Sequence, residues 1–294
     1  MTLWPFTLIL LSTFTHAWWN FLAKQADQKD VFFGLSKIAE IVVFALPFVW
    51  LVKRQGFADP GYEGRIWLYI PVAALLIFAY YIFLAQAYKR VDLSVAYPIA
   101  RSSALFLPFL AYFFLGETID AVGATAVALV VIGVLVVQLK SFRRADIGRL
   151  LGQMRQPGIV FALLTALTVA SYTLWDKTAV AHINPFVYYY SYTAVSCLLY
   201  LLLLSRFPRS QIRQEWQRHR RAIVLVAVLD VLTYVMVLYA LTVSKATYAG
   251  TLRQFSLVVA VFLGWRFLGE PLPPPKLVGV ALLISGAALI LLAR

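Results

Sequence analysis

The 294-residue chain is far more apolar than a soluble protein, because 62% of its residues are hydrophobic, 13% are charged and its formal net charge is +13. Soluble globular domains are about half apolar and about one quarter charged, so this composition excludes a soluble domain and indicates an integral membrane protein. The apolar runs are long and continuous, which favours helices of roughly 20 residues over short alternating strands.

Ten apolar segments follow one another along the chain, and charged or turn residues separate them. The breaks include Lys53-Arg54, Gly116-Glu117 and the proline cluster at 271–275, which are residue types expected between helices. We therefore predict an all-α integral membrane protein with ten transmembrane helices. The predicted spans are 3–23, 31–52, 66–88, 92–115, 119–139, 158–176, 186–205, 222–243, 246–268 and 274–292.

Two halves of the chain resemble each other when one copy is shifted by 153 positions. Tyr81 then falls on Tyr234, and the Phe-Leu-Gly-Glu motif at 114–117 falls on the one at 267–270. Each half holds five spans, so the second repeat must enter the bilayer upside down, as in alternating-access transporters. The sequence thus predicts two inverted five-helix repeats around a central cavity. The predicted boundaries are 1–139 for the first repeat, 140–157 for a cytoplasmic linker and 158–294 for the second repeat.

The linker has two interpretations. Ile147, Leu150, Leu151 and Met154 stand at helical spacing among arginines, which favours an amphipathic segment on the inner membrane surface. An ordinary solvated linker is compatible with the same residues.

Lysine and arginine are distributed unevenly between the two sides of the predicted bundle. With the N-terminus outside, the cytoplasmic loops hold 16 of the 26 residues, the opposite side holds 6, and Lys37, Arg101, Arg253 and Arg266 lie within spans. Positive charge marks the cytoplasmic side, so we predict a multi-pass protein of the cell's inner (plasma) membrane with both termini on the outer side. The basic surface then faces anionic lipid rather than nucleic acid.

Polar side chains inside the spans are expensive in a bilayer and usually face a cavity or a partner. In the first span His16 and Asn20 stand one helical turn apart, with Trp19 beside them. Proline interrupts the fourth span at Tyr97-Pro98, and such discontinuities often mark the substrate site of a transporter. The predicted substrate-binding residues are His16, Trp19, Asn20, Tyr81, Tyr97, Arg101, Tyr234, Arg253 and Gln254.

The carboxylates within the spans need cations. Lys37 and Glu40 are three residues apart on the second span and are predicted to neutralise each other. Asp230 in the eighth span is expected to pair with Arg253 or Arg101. The Asp230 pair has a structural interpretation and a functional one, in which it binds a zwitterionic substrate or exchanges partners during transport. Asp230, Lys37 and Glu40 are thus the predicted ion-pair or coupling residues.

Away from the span ends, the embedded charges are Lys37, Arg101 and Arg253 against Glu40 and Asp230. This surplus of one positive charge favours a carboxylate or another anionic group on the cargo. His16 has two readings, because an ordinary pKa near 6.5 suits a proton switch, whereas a neutral histidine can also hydrogen-bond to a neighbouring helix.

Aromatic and glycine motifs have structural explanations. Tyrosine and tryptophan gather at membrane interfaces, so Tyr188, Tyr189, Tyr190 and Tyr192 are assigned to an interfacial belt. The two Leu-Gly-Glu motifs are interpreted as helix ends, where glycine relieves the terminating conformation and glutamate favours the N-terminus of the next helix.

With these features the chain resembles the drug/metabolite transporter (DMT) superfamily, specifically its EamA-type members. The resemblance rests on the duplicated five-span unit, the stretch from His16 to Asn20, the Tyr97-Pro98 step and the paired Phe-Leu-Gly-Glu motifs. It implies a ten-helix basket whose cavity is lined by spans 1, 3, 4, 6, 8 and 9, and export of small metabolites, often amino acids. Small multidrug members carry a carboxylate in their first helix, and this first span has none.

We therefore expect a secondary transporter, exporter or exchanger, of small polar metabolites, with amino acids as the leading class, working by alternating access. Multidrug or organic-cation efflux and lipid-linked sugar flipping are the alternatives. An enzyme is not expected, since the sequence offers no nucleophile with a matching base and no phosphate loop. No cofactor or metal is expected. The expected partners are a small-molecule substrate and the lipid bilayer, with no nucleic acid; a monomer suffices, and a dimer is also compatible.

The lysine and arginine count predicts the topology of the chain directly. A C-terminal reporter that is active only in the cytoplasm should stay silent, because the C-terminus is predicted outside. The same reporter inserted in the 140–157 linker should be active and serves as the control. Activity of the C-terminal fusion would contradict the orientation.

Overall fold

The computed structural model describes residues 1–23, 26–90, 96, 99–139, 141–143, 148, 152 and 156–293. This part of the chain contains α-helices and short 3-10 turns and no strand. The helices are α1 Leu3–Ala23, α2 Lys29–Gln55, α3 Ile66–Arg90, α4 Ser103–Leu115, α5 Ala121–Val136, α6 Pro157–Ala179, α7 Pro185–Leu204, α8 Arg209–Val243, α9 Ala246–Leu252, α10 Ser256–Leu268 and α11 Pro274–Leu292.

Ten helical segments correspond to the ten predicted spans. Within the described ranges, seven segments are long and apolar enough to cross a membrane: α2, α3, α6, α7, α8, α11 and the continuous run of α9 and α10. The helices α4 and α5 are apolar but shorter, and α1 has 21 residues. The protein is thus an all-helical, multi-pass membrane protein. Tyr97 and most of the 140–157 linker, including its amphipathic interpretation, lie outside the described residues.

The predicted boundaries hold for α1 and α11 but fail for α8. The sequence placed the start of the eighth span at residue 222, whereas α8 begins at Arg209 and is 35 residues long. The hydropathy of the chain reports only the part of a helix that enters hydrocarbon. The added segment is rich in arginine and glutamine, which are good helix formers in water, so the helix continues beyond the membrane.

Corresponding helices of the two repeats pack against each other. The first helix of each repeat packs on the third helix of the other, as α1 on α8 and α6 on α3. The second helices, α2 and α7, pack together, as do the fifth helices, α5 and α11. This pattern is what a twofold axis between the repeats requires.

The fourth and ninth spans are interrupted at the same repeat position. In the fourth span a turn at Arg101–Ser102 precedes α4, which starts at Ser103. In the ninth span the 3-10 turn Arg253–Phe255 precedes α10, which starts at Ser256, 153 positions later. The interruption therefore belongs to the duplicated unit, and broken spans of this kind tend to line the binding site in transporters.

The two Leu-Gly-Glu motifs end helices, as the sequence indicated. Gly116 and Gly269 have φ values of 64° and 66°, the left-handed conformation that glycine adopts at helix C-termini. The interpretation of Glu117 needs correction, because Asp120 caps the following helix α5 through the Gly123 backbone N–H at 2.8 Å. The Glu117 carboxylate instead accepts hydrogen bonds from the backbone N–H groups of Ala246 and Thr247, at 2.6 and 3.2 Å, and so caps α9 in the other repeat.

Both described chain ends lie at one end of the bundle, where the Met1 ammonium donates to the Ala293 carbonyl at 2.6 Å. We name this the terminus end, and the opposite end, which holds loops 26–28, 205–208 and 269–273, the linker end. The largest buried apolar cluster fills the terminus half of the bundle. Its fully buried members include Ile9, Leu107, Tyr188 and Leu238, so this half is solidly packed.

A polar cluster at the linker end fastens loop 26–28 to the extension of α8. The Asp27 carboxylate accepts from Arg218 at 2.7 Å, and the buried Glu215 accepts from the Gln28 backbone N–H at 3.1 Å. The Arg218 guanidinium, followed by His219, holds the Asp27 pKa below its usual range, so this contact is lost as the pH falls through that lowered pKa. Asp27, Glu215 and His219 place possible metal ligands within 4.8 Å of one another, but Arg218 already occupies the Asp27 oxygen that faces His219.

The close approach of α5 and α11 gives a test of the packing. A Cβ atom added to Gly279 would lie 2.5 Å from the Val137 backbone nitrogen, so Gly279→Ala should force the helices apart and lower the free energy of unfolding by about 1–3 kcal/mol. Thermal unfolding of the purified protein in detergent measures the change. Gly64→Ala is the control, because nothing lies within 4 Å of its added Cβ. Equal unfolding temperatures for the two variants would refute the packing.

Candidate functional site

A cavity of about 250 Å³ lies between the two repeats, from the middle of the bundle toward the linker end. Helices α1, α3, α6 and α8 and the two interrupted spans line it, which are the six spans that the family resemblance implied. Most of its polar lining consists of hydroxyl groups, from Ser12, Thr13, Tyr80, Ser103, Tyr172, Thr173, Thr233 and Ser256. The cavity thus combines these polar groups with apolar lining residues such as Leu84 and Val169, whereas the terminus half is filled by apolar side chains.

Two arginines give the cavity its charge. Arg101 and Arg253 line it from the breaks in the fourth and ninth spans, and no carboxylate is among the lining residues in the described part of the chain. The break places each guanidinium at the end of a helical segment, where its fork of N–H donors can face the cavity. A lining with two fixed positive charges attracts anions and repels cations.

Arg101 is joined to the first helix through His16. An Arg101 Nη and His16 Nε2 lie 3.4 Å apart. A guanidinium only donates hydrogen bonds, so His16 Nε2 accepts and the imidazole is neutral in this arrangement. Trp19 packs edge-on against His16 with ring centroids 5.1 Å apart, and the Asn20 amide donates to the His16 carbonyl at 2.7 Å. The first helix thus contacts Arg101 through His16.

Arg253 is linked to the packed half of the bundle through tyrosine. Its guanidinium lies 5.2 Å from the centre of the Tyr234 ring, in the geometry of a cation–π contact. The Tyr234 hydroxyl donates to Asp176 at 2.5 Å, and the Tyr188 hydroxyl donates to the other Asp176 oxygen at 2.9 Å. Asp176 is buried, so its charge is stabilised by two phenols and by the nearby arginine.

Gln254 connects the two interrupted spans. Its side-chain nitrogen lies 3.4 Å from the Ser103 hydroxyl, and its amide oxygen is buried with no hydrogen-bond partner within the described ranges. An unsatisfied acceptor at a cavity wall is costly. A donor group on a bound molecule, or water, can satisfy it.

A second cavity of about 110 Å³ lies beside the first and shares Tyr80 and Tyr172 with it. We name it the side cavity. Helices α2, α3, α6, α7 and α8 line it, mainly with tyrosines. Lys37 and Asp230 form an ion pair in its wall at 2.7 Å. The side cavity therefore carries charges of both signs, whereas the described lining of the central cavity contains no carboxylate.

The structure sorts the predicted site residues into three groups. His16, Asn20, Arg101, Arg253 and Gln254 line the central cavity. Tyr81 and Tyr234 line the side cavity, and Trp19 packs behind His16. Tyr97 lies outside the described residues.

The predicted partner of Asp230 is wrong. Asp230 pairs with Lys37 at 2.7 Å rather than with Arg253 or Arg101, while the predicted pairing of Lys37 with Glu40 is confirmed at 2.9 Å. The arginines are held by the break in their own spans, which turns them toward the central cavity. Lys37, on α2, is the only basic side chain in the described part of the side-cavity wall.

The sequence missed the buried tyrosines and the role of Asp176. Tyr188, Tyr189 and Tyr192 were assigned to an interfacial belt, but all are buried, because their hydroxyls or rings meet polar groups inside the bundle. Tyr188 and Tyr192 are one helical turn apart, so they share a face. That spacing was the available signal, but tyrosines of an interfacial belt can show it too.

Comparison with known proteins agrees with this architecture. One solved structure, described only as the crystal structure of a protein, superposes with a TM-score of 0.70 over 99% of this chain and 96% of its own. The two sequences are 18% identical, so the likeness shows the fold alone. No curated protein matches the chain.

The family is shown by a sequence model. The model of the EamA-like transporter family matches residues 3–139 and 156–292, which is nearly the whole chain in two copies. The two matches fall on the two sets of helices that pack around the central cavity. The chain therefore belongs to the EamA-like transporter family and is a multi-pass membrane transporter of small molecules.

Proposed function

We propose that the protein is a secondary transporter, exporter or exchanger, of small polar metabolites that carry a carboxylate, with amino acids as the first class to test. The observation that carries this proposal is the pair of guanidiniums, Arg101 and Arg253, in a cavity whose described lining contains no carboxylate. A planar guanidinium fork matches a carboxylate in shape and charge.

The rest of the cavity suits the remainder of an amino acid. An ammonium group can be met by the hydroxyl oxygens of Thr13 and Ser103 and by the faces of Tyr80 and Tyr172, since cations are attracted to aromatic rings. The volume of about 250 Å³ falls below the range of about 300–1,000 Å³ that is usual for drug-sized ligands. A small metabolite is therefore a better fit than a bulky drug.

The uneven packing of the two ends supports alternating access. The cavity occupies the linker half, while the apolar cluster and the Glu117 cap on α9 close the terminus half. If both termini are outside, as the charge distribution predicts, this arrangement faces the cytoplasm. A carrier then needs a second state in which the terminus end opens and the linker end closes.

The alternatives fare less well on the same observations. Organic cations would meet two arginines and no carboxylate in the described lining, which disfavours their efflux. Flipping of a lipid-linked sugar would need a path for a long chain between the helices. Lipid transport is therefore kept as an outcome of the test.

The test is counterflow in proteoliposomes that are preloaded with a mixture of unlabelled amino acids. Selective entry of labelled amino acids is expected, and Arg101→Gln and Arg253→Gln should each weaken the apparent affinity about ten- to a hundredfold, because a hydrogen bond to a charged group is lost. Arg266→Gln is the matched control, since Arg266 is an exposed residue of α10.

The outcomes separate the candidate substrates. Unchanged apparent affinity in both cavity variants would contradict the arginine site. If the folded protein transports no amino acid, other organic anions become the proposed substrates, and they are tested in the same vesicles. If the protein moves a labelled lipid-linked sugar between the leaflets, the proposed function becomes that of a lipid-linked sugar flippase.

A further inference from the structure

Beside the side cavity, one cation lies between two carboxylates. The Lys37 ammonium lies 2.7 Å from Asp230 Oδ2 and 2.9 Å from Glu40 Oε1. Glu40 is 2% exposed, and Lys37 and Asp230 are 17% and 22% exposed. The three groups form one compact cluster within the membrane-spanning part of the bundle.

The charges of this cluster do not balance by themselves. With Lys37 charged and both carboxylates ionised, the cluster carries one net negative charge. An uncompensated charge at this depth is expensive. One additional positive charge, on or beside the carboxylates, would make the cluster neutral.

Among the described residues, the side chains that line the side cavity do not supply that charge. The other titratable groups that line the side cavity are phenols: Tyr80 and Tyr81 on α3, Tyr172 on α6, Tyr189, Tyr192 and Tyr200 on α7, and Tyr234 on α8. Arg253 lies over the Tyr234 ring and lines the central cavity. On α1, which also packs against α8, the titratable group His16 contacts Arg101.

We propose that the Lys37–Glu40–Asp230 cluster binds one exchangeable proton, carried by either carboxylate, and that this proton couples transport to the proton gradient. The inference rests on the proposed function. Only an O–H bond forms and breaks, and the proton comes from water on one side of the membrane and returns to water on the other.

The geometry favours a proton over a metal cation. The ammonium of Lys37 already occupies the position between the carboxylates, so a sodium ion placed there would be repelled. A proton needs no space of its own. The Tyr189 hydroxyl lies 3.0 Å from Glu40 Oε2 and 3.4 Å from Asp230 Oδ2, so it can donate to whichever carboxylate stays ionised.

The cluster lies across the contact between the two repeats, so relative motion of the repeats changes the distances within it. Lys37 and Glu40 belong to α2 in the first repeat, whereas Asp230 belongs to α8 in the second. Protonation of Asp230 removes its attraction to Lys37 and so weakens a link between the repeats. The side cavity shares Tyr80 and Tyr172 with the central cavity, which brings the proton site next to the substrate site.

The first experiment uses proteoliposomes of the full chain with a mixture of the labelled standard amino acids. An imposed pH gradient should increase the uptake rate of the wild-type protein several-fold, and this increase should vanish in Glu40→Gln and Asp230→Asn. Each variant keeps one carboxylate beside Lys37 and so avoids a buried net charge. Asp30→Asn is the control, because Asp30 is an exposed acid at the start of the same helix.

A second measurement does not depend on transport by the variants. Adding the same amino-acid mixture to purified protein in weakly buffered detergent should release or take up a proton in the wild type, and a pH indicator should show no exchange in either variant. Undiminished proton exchange in both variants, or an unchanged response to the pH gradient, would overturn the site. Uptake driven by a sodium gradient without a pH gradient would also overturn it.

The two proposals fail in different ways. Absence of counterflow by the wild-type protein would count against the proposed function. Counterflow by the wild type that ignores the pH gradient would leave that function standing and would overturn the proton site alone.

Discussion

Each polar group that the spans carry into the bilayer has to find its partner inside the protein, and the rest of the structure depends on this constraint. Several of these partners come from different repeats. Lys37 in the first repeat meets Asp230 in the second, and Glu117 caps the backbone of α9 across the same interface. In a single five-helix unit Asp230 would lose its cation within the spans, whereas Lys37 would keep Glu40. The duplication is thus needed to satisfy the polar groups as well as to enclose the cavity.

Equivalent positions in the two repeats have different surroundings. Glu117 binds the start of α9 at the terminus end, whereas its counterpart Glu270 lies 3.6 Å from Lys276 on the following helix α11. The same motif therefore supports contact between the repeats at one end of the bundle and a contact within one repeat at the other. In the carrier proposed above, such a difference between equivalent residues distinguishes the closed end from the end with the cavity.

The sequence predicted features that depend on composition and periodicity. Ten spans, the repeat and the helix-ending role of Gly116 follow from local chemistry, and the structure agrees with them. The partners of Asp230 and the burial of Tyr188 could not be predicted in this way. Lys37 is 193 positions from Asp230, and an interfacial tyrosine has the same local sequence as a buried one. Such pairings depend on the rotation of each helix about its axis, which an almost uniformly apolar helix does not reveal.

The long extension of α8 has a mechanical consequence. At 1.5 Å per residue, its 35 residues extend about 50 Å, roughly 20 Å more than the hydrocarbon core of a bilayer. If α8 tilts by about 10° about the point where it leaves the membrane, the end of the extension moves sideways by roughly 3 Å. Arg218 and Glu215 also bind the loop that holds Asp27 and Gln28, so a tilt of α8 acts on that loop. For the same tilt of α8, the end of the extension outside the membrane therefore moves farther than the part of the helix that lines the cavity.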